Sequence, residues 1–214
     1  MLIYLHGFNS SPGSHKAQLL KRYMEERRLG DQYCCPALPP LAKRALDLVE
    51  AEIARHPRES ITLVGSSLGG FYSTYLAERH DLRAVLINPA VYPHEDLRAY
   101  LGTQRNLYTQ RQYELTEEHL RQWEVLYLPT VRPQRYLLLV ETGDEVLDYR
   151  EAVKKYAGAR QFVIEGGDHS LKSFPEHIPL ILEFAGLAQA RAQPGAAPSS
   201  DADLRTAQAE RDRG

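Results

Sequence analysis

Short, largely apolar runs recur along the chain: Leu2 to Leu5, Tyr33 to Ala37, Ile61 to Val64, Ala84 to Ile87, Arg135 to Val140 and Gln161 to Ile164. Most are continuous rather than alternating, the pattern of parallel strands covered on both faces. Between them lie stretches with helical spacing. One runs from Ser14, placed as an N-cap, to Leu29, with Gly30 as its stop. A second covers Leu41 to His56 and ends before Pro57. Further helices are expected from Ser67, near Tyr149 and near Pro175. Strand and helix alternating in this way predict right-handed βαβ crossovers and an α/β fold. Its sheet should be doubly wound, mostly parallel and built from about six strands.

One connection breaks the rhythm. The chain runs from Asn88 to Gln134 before the next strand, and structureless loops of that length are rare in compact domains. Residues 88–134 are therefore expected to form a small helical insertion. Within it, "LTEEHL" reads as a helix start, with Thr116 as N-cap and Leu115 and Leu120 as a hydrophobic staple. The segment is also aromatic. It could be a helical pair packed on the sheet edge, or a lid over an apolar pocket lined by Tyr100, Tyr108, Tyr113 and Trp123. Beyond it, residues 188–214 turn to Ala, Gln, Arg, Pro, Ser and Asp, which cannot bury enough surface to offset their ordering entropy. The expected organisation is one domain over 1–187 and a disordered tail over 188–214.

Bulk composition narrows the function. At 214 residues with 43% hydrophobic content, the domain can support its own core without metals or disulfides. The net charge of −2 comes with no basic block, so neither nucleic acid nor an anionic membrane is an expected partner. The two cysteines, Cys34 and Cys35, are adjacent and lack metal-ligand spacing. No metal or other cofactor is expected, and a reduced, cytoplasmic protein is the simplest inference. The first apolar run is too short for a signal peptide or a bilayer span.

The chemistry concentrates in "LVGSSLGG". Gly65-Ser66-Ser67-Leu68-Gly69 matches G-x-S-x-G between an expected strand and an expected helix. There a serine is held in a strained corner that lifts its Oγ above the sheet. Spacing selects Ser67 rather than Ser66, because Ser67 has a glycine two positions to either side. A serine hydroxyl needs a base. His169, in "FVIEGGDHSL", falls on a loop at the carboxyl end of the last strand, where ligand sites of such sheets gather. His56, His80, His94, His119 and His177 sit in or beside helical patterns and read as packing residues, His15 has weak claims, and His6 reads as a loop-shaping residue.

The third member must accept the imidazole Nδ1–H. Asp144, in "LLLVETGDEVLDY", suits the role, with Glu145 and Asp148 as neighbouring competitors. The order Ser67, Asp144, His169 is the one expected of an α/β-hydrolase fold. For the oxyanion hole, the backbone N–H of Leu68 follows the nucleophile, and Phe8 in "HGFNSSPGS" supplies a second donor beside Gly7.

Taken together, "YLHGFNSSPGSHKA", "VGSSLGGFYSTYLAE", "LINPAVYP", "TGDEVLDY" and "EGGDHSL" resemble the small α/β-hydrolases of the YqiA esterase family over roughly residues 1 to 187. The resemblance implies serine esterase or thioesterase activity on a small acyl substrate, without a cofactor. It also implies Ser67 as nucleophile, Asp144 as acid and His169 as base. A second expectation belongs to another class: a catalytically weak scaffold of the same fold that binds an acyl ligand or a protein partner.

Overall fold

The structure is a computed structural model and describes residues 1–188. The disordered tail expected over 188–214 therefore lies, residue 188 apart, outside the described residues.

Six strands form one parallel sheet: β1 (Leu2–Leu5), β2 (Tyr33–Cys34), β3 (Thr62–Ser66), β4 (Arg83–Ile87), β7 (Tyr136–Glu141) and β8 (Arg160–Ile164). Their order is β2-β1-β3-β4-β7-β8. The chain leaves β1 in one direction to form β2, then returns to lay β3 on the other side. Loops after β1 and β3 thus flank a topological switch point, where open α/β sheets bind ligands.

Successive strand residues face opposite layers. Leu63 packs with Leu46 and Val49 of α2 (Ala42–Ile53) and Leu76 of α3 (Leu68–His80). Val64 packs with Leu20 and Met24 of α1 (His15–Glu26) and Phe174 and Ile178 of α7 (Phe174–Phe184). Apolar packing on both faces explains why the central runs are continuous. The edge strands β2 and β8 are only partly covered and carry the mixed sequences.

Several ends differ from expectation for identifiable reasons. β2 stops at Cys34, because Pro36 has no N–H to continue a ladder. α1 ends at Glu26 rather than Leu29. Arg28 takes the left-handed conformation (φ 60°), and the Leu29 and Arg28 N–H groups close back on Met24 and Glu25 in a Schellman motif. Arg28, not Gly30, makes the stop.

The insertion is only partly helical, which corrects the expectation for 88–134. After the one-turn α4 (Pro93–Asp96) it forms an antiparallel hairpin, β5 (Gly102–Arg105) and β6 (Gln112–Leu115), before α5 (Glu117–Leu126). Covered and exposed positions alternate along both hairpin strands, but most are polar, which hides the period of two. Asn106 shapes the tip by accepting the N–H groups of Tyr108 and Thr109 at 3.0 and 2.9 Å. Thr116 caps α5 as expected, with His119 Nδ1 accepting its N–H at 3.1 Å and Leu115 and Leu120 both buried. The last major helix before α7 is α6 (Tyr149–Lys155), which packs on β7. Among the described residues, no helix is long and apolar enough to cross a membrane.

Candidate active site

Ser67 stands between β3 and α3 with φ 54° and ψ −123°, a conformation that costs a side-chain-bearing residue about 1–3 kcal/mol. Backbone hydrogen bonds hold it there. Its N–H donates to Ile87 (3.0 Å), and its carbonyl accepts from Gly70 (2.8 Å) and Ala90 (3.1 Å). The glycines around it are sites of close approach. A Cβ on Gly69 would overlap the Leu5 carbonyl, one on Gly65 would overlap Gly69, and one on Gly70 would lie 2.6 Å from Pro89. Gly69→Ala should therefore force α3 away from β1 and cost roughly 3–5 kcal/mol. Urea denaturation checks this, and a soluble variant with the wild-type midpoint would contradict it.

The loop after β1 packs directly on the elbow. A Cβ on Gly7 would sit 3.2 Å from Ser67 Cβ and 3.6 Å from its Oγ. Neither Phe8 N–H nor Leu68 N–H has a hydrogen-bond acceptor among the described residues. Both residues border the same cavity as Ser67. His6 is buried beneath this loop. Its Nε2 accepts the Leu38 N–H at 3.0 Å, so Nδ1 carries the proton and donates to Gly7 O at 3.1 Å. Burial lowers its proton affinity, and it shapes the loop as the sequence suggests.

His169 lies beyond β8, with Nδ1 2.9 and 2.8 Å from the two Asp144 oxygens. A carboxylate only accepts, so Nδ1 bears the hydrogen, and in the neutral imidazole the lone pair is on Nε2. Asp144 also accepts the Val146 and Leu147 N–H groups, each at 2.9 Å. Its side chain is 1% exposed. Burial acts to raise its pKa, but the His169 hydrogen bond and the backbone donors win and hold it below the usual carboxylate range.

The two competitors have other duties: Glu145 accepts the His169 backbone N–H at 3.0 Å, and Asp148 caps α6 through the Arg150 N–H. Asp168, next to His169 in the chain, engages Ser170 and Lys172. Ser67 and His169 line two cavities in common, without a hydrogen bond between their side chains in this conformation.

Those cavities place the aromatic candidates. Tyr100 borders one of about 230 Å³ with Ser67, Leu68, Leu97 and His169. Tyr108 borders one of about 370 Å³ with Ser67, His169 and Lys16. Tyr113 lines a third, of about 380 Å³, which shares Phe8 and Leu68 with the first but is not lined by Ser67 or His169. Trp123 does not join them, which corrects its assignment to the pocket. It is 1% exposed, and its indole N–H donates to Tyr72 OH at 2.7 Å, as a core residue beneath the insertion.

The hairpin is tied to the loop after β1 through Asn9. The Asn9 carbonyl accepts Leu107 N–H (2.9 Å), its Oδ1 accepts Tyr113 OH (2.8 Å), and its Nδ2 donates to Gln104 (3.1 Å). Asn9, Asn88 and Glu141 escape sequence reading: Asn88 and Glu141 are single polar residues at the ends of apolar runs, and Asn9 stands in the loop four residues past Leu5.

Asp96 borders the 230 Å³ cavity. Burial, then the neighbouring Glu151 and Glu95, push its carboxyl up to about 6. It is neutral below that pH and charged above it. Binding of an apolar fluorescent probe to this cavity should therefore weaken between pH 5 and 7, and Asp96→Asn should flatten that change; an unchanged pH profile in the variant would refute it.

Residues 1–186 match the family described as Uncharacterised protein family (UPF0227). The chain belongs to the UPF0227 family. It is 25% identical over 191 residues to the UPF0227 protein ECA1814 of Pectobacterium atrosepticum, covering 87% of this chain and 99% of that one. To the UPF0227 protein YcfP of Escherichia coli it is 29% identical over 98 residues, 45% of this chain and 54% of the relative. Membership agrees with the resemblance to the YqiA esterases.

Among solved structures, a putative hydrolase from Agrobacterium vitis S4 superposes with a TM-score of 0.69 at 17% identity, covering 86% of this chain and 87% of the other. Est1E from Butyrivibrio proteoclasticus superposes with a TM-score of 0.57 at 14% identity, covering 86% and 84%. At such identities the likeness is one of fold. This UPF0227 chain therefore has the α/β-hydrolase architecture, and its chemistry must be argued from its own residues.

Proposed function

We propose that the chain is a serine hydrolase that cleaves carboxylic esters or thioesters. One observation carries the reading. Ser67, in its strained elbow, shares a cavity with two unengaged backbone N–H groups and with an imidazole whose Nδ1–H is committed to Asp144.

In the proposed reaction, His169 Nε2 takes the Ser67 proton as Oγ attacks the acyl carbon. The carbonyl oxygen becomes an oxyanion at the Phe8 and Leu68 N–H groups, where each donor stabilises the transition state by about 3–4 kcal/mol. Collapse expels the alcohol or thiol, which takes the proton from His169. Water then attacks the acyl-enzyme by the same route and releases the acid. Asp144 stays ionised and stabilises the imidazolium. The helix dipole of α3 favours the same oxyanion.

The two free cysteines, Cys34 and Cys35, suit a reducing cytoplasmic setting.

Labelling with a fluorophosphonate probe tests the reading. The probe should form an adduct on the peptide containing Ser67, and p-nitrophenyl esters should be hydrolysed. A folded chain that is neither labelled nor active would favour a binding scaffold instead.

A further inference from the structure

We propose that Glu141 is a positioning residue for the reaction above. Its buried carboxylate, braced by Asn88, holds the backbone of the His169 loop and so sets the imidazole against Asp144. The inference rests on the serine-hydrolase reading for its kinetic consequence, but not for its structural one.

Glu141 ends β7 and is 1% exposed. Among the described residues it forms no ion pair. A buried carboxylate without a cation is costly unless hydrogen bonds replace its hydration. Here four do. Oε1 accepts the Ser173 N–H at 2.9 Å and the Ser173 hydroxyl at 2.7 Å. Oε2 accepts the Asp168 N–H at 2.8 Å and the Lys172 N–H at 3.0 Å. All four donors belong to residues 168–173, the loop that carries His169.

Asn88, at the end of the neighbouring β4, completes the clamp. Its Oδ1 accepts the Glu141 N–H at 3.0 Å, and its Nδ2 donates to the carbonyls of Asp168 and His169, both at 3.1 Å. Two adjacent strand ends thus grip the backbone on either side of the imidazole. Asn88 (φ 39°) and Leu171 (φ 53°) hold left-handed conformations within this arrangement. Gly167 has φ 71°, and any Cβ there would overlap Glu141 Oε2, so the carboxylate also dictates a glycine two residues before His169.

The donor pattern makes the charge itself testable. Oε2 faces two backbone N–H groups and Oε1 faces one beside the rotatable Ser173 hydroxyl, so a glutamine must turn its NH₂ against at least one backbone N–H in either orientation. E141Q keeps the shape and breaks the clamp. Misplacing a catalytic group by an ångström costs on the order of 100-fold.

In full-length protein, E141Q should lower kcat per titrated active site by roughly 10- to 100-fold, with KM within about twofold. In an Asp144→Ala background the same change should cost little more, since the imidazole has already lost its partner. S173A, which removes one donor of four, should give a smaller kcat loss of the same kind. It decides the question on the same readouts if E141Q fails to fold. The low-field proton NMR signal of His169 Nδ1–H should shift or broaden in E141Q.

Wild-type kcat per active site with an unchanged imidazole signal would overturn the proposal. So would a kcat loss explained entirely by fewer titratable sites. A wild-type protein that neither labels nor hydrolyses esters would sink the serine-hydrolase reading alone, because the imidazole signal still reports on Glu141.

Discussion

Ser67→Ala is expected to reduce p-nitrophenyl ester hydrolysis by about 10⁴- to 10⁶-fold, while Ser66→Ala should keep most of the activity. The two serines are adjacent and both border the cavity that His169 lines, so proximity alone does not separate them. Backbone conformation does. Ser66 is the last residue of β3, 6% exposed, with the extended geometry of its strand. Ser67 alone sits in the left-handed elbow, with the Leu68 N–H immediately after it and the Gly7 backbone against its Oγ. Fluorophosphonate labelling and circular dichroism on both variants make the check. Equal losses in two folded proteins would show that the wrong serine has been chosen.

Asp144→Asn should lower kcat by about 10⁴-fold with little change in fold. An asparagine can offer its NH₂ to Nδ1, which favours the tautomer with hydrogen on Nε2. That imidazole has no lone pair facing Ser67 and cannot act as base. The pH dependence has a definite sign. The folded carboxyl of Asp144 is held below its ordinary value, so its stabilising contribution is present above about pH 4. That contribution is lost as pH falls through the folded value. Asp144 therefore does not titrate between pH 5 and 8, and acid-side activity loss in that range has another source. The stability gap between wild type and Asp144→Asn should be present at pH 7 and shrink below about pH 4, as urea denaturation at several pH values would report.

The strands were legible because their chemistry is local. A buried parallel strand reads as a continuous apolar run, and β1, β3, β4 and β7 do so within a residue or two. The elbow was legible because glycines at fixed spacing answer a backbone demand, which the overlaps at Gly65 and Gly69 make concrete. Thr116 was legible because a helix cap is also a local bargain. The hairpin was not, since its alternating positions are mostly polar and its partner strand lies across a loop. Trp123 was misassigned for a related reason: a large aromatic in an insertion suits a pocket wall and a core equally well until its neighbours are known.

The amino-acid sequence by itself determined most strands of the sheet, the strand–turn–helix corner, the spacing that makes Ser67 rather than Ser66 the candidate nucleophile, and the candidates for base and acid. Each follows from spacing, turn chemistry and the period of apolar positions. Only the tertiary structure decided which carboxylate meets His169, because Asp144, Glu145 and Asp148 differ in direction rather than in type. It also decided that Glu141 and Asn88 close beneath the His169 loop, and that Asn9 joins the hairpin to the loop after β1. Hydrogen bonds between groups far apart in the chain depend on where the strands end in space, and no local pattern of residues encodes that.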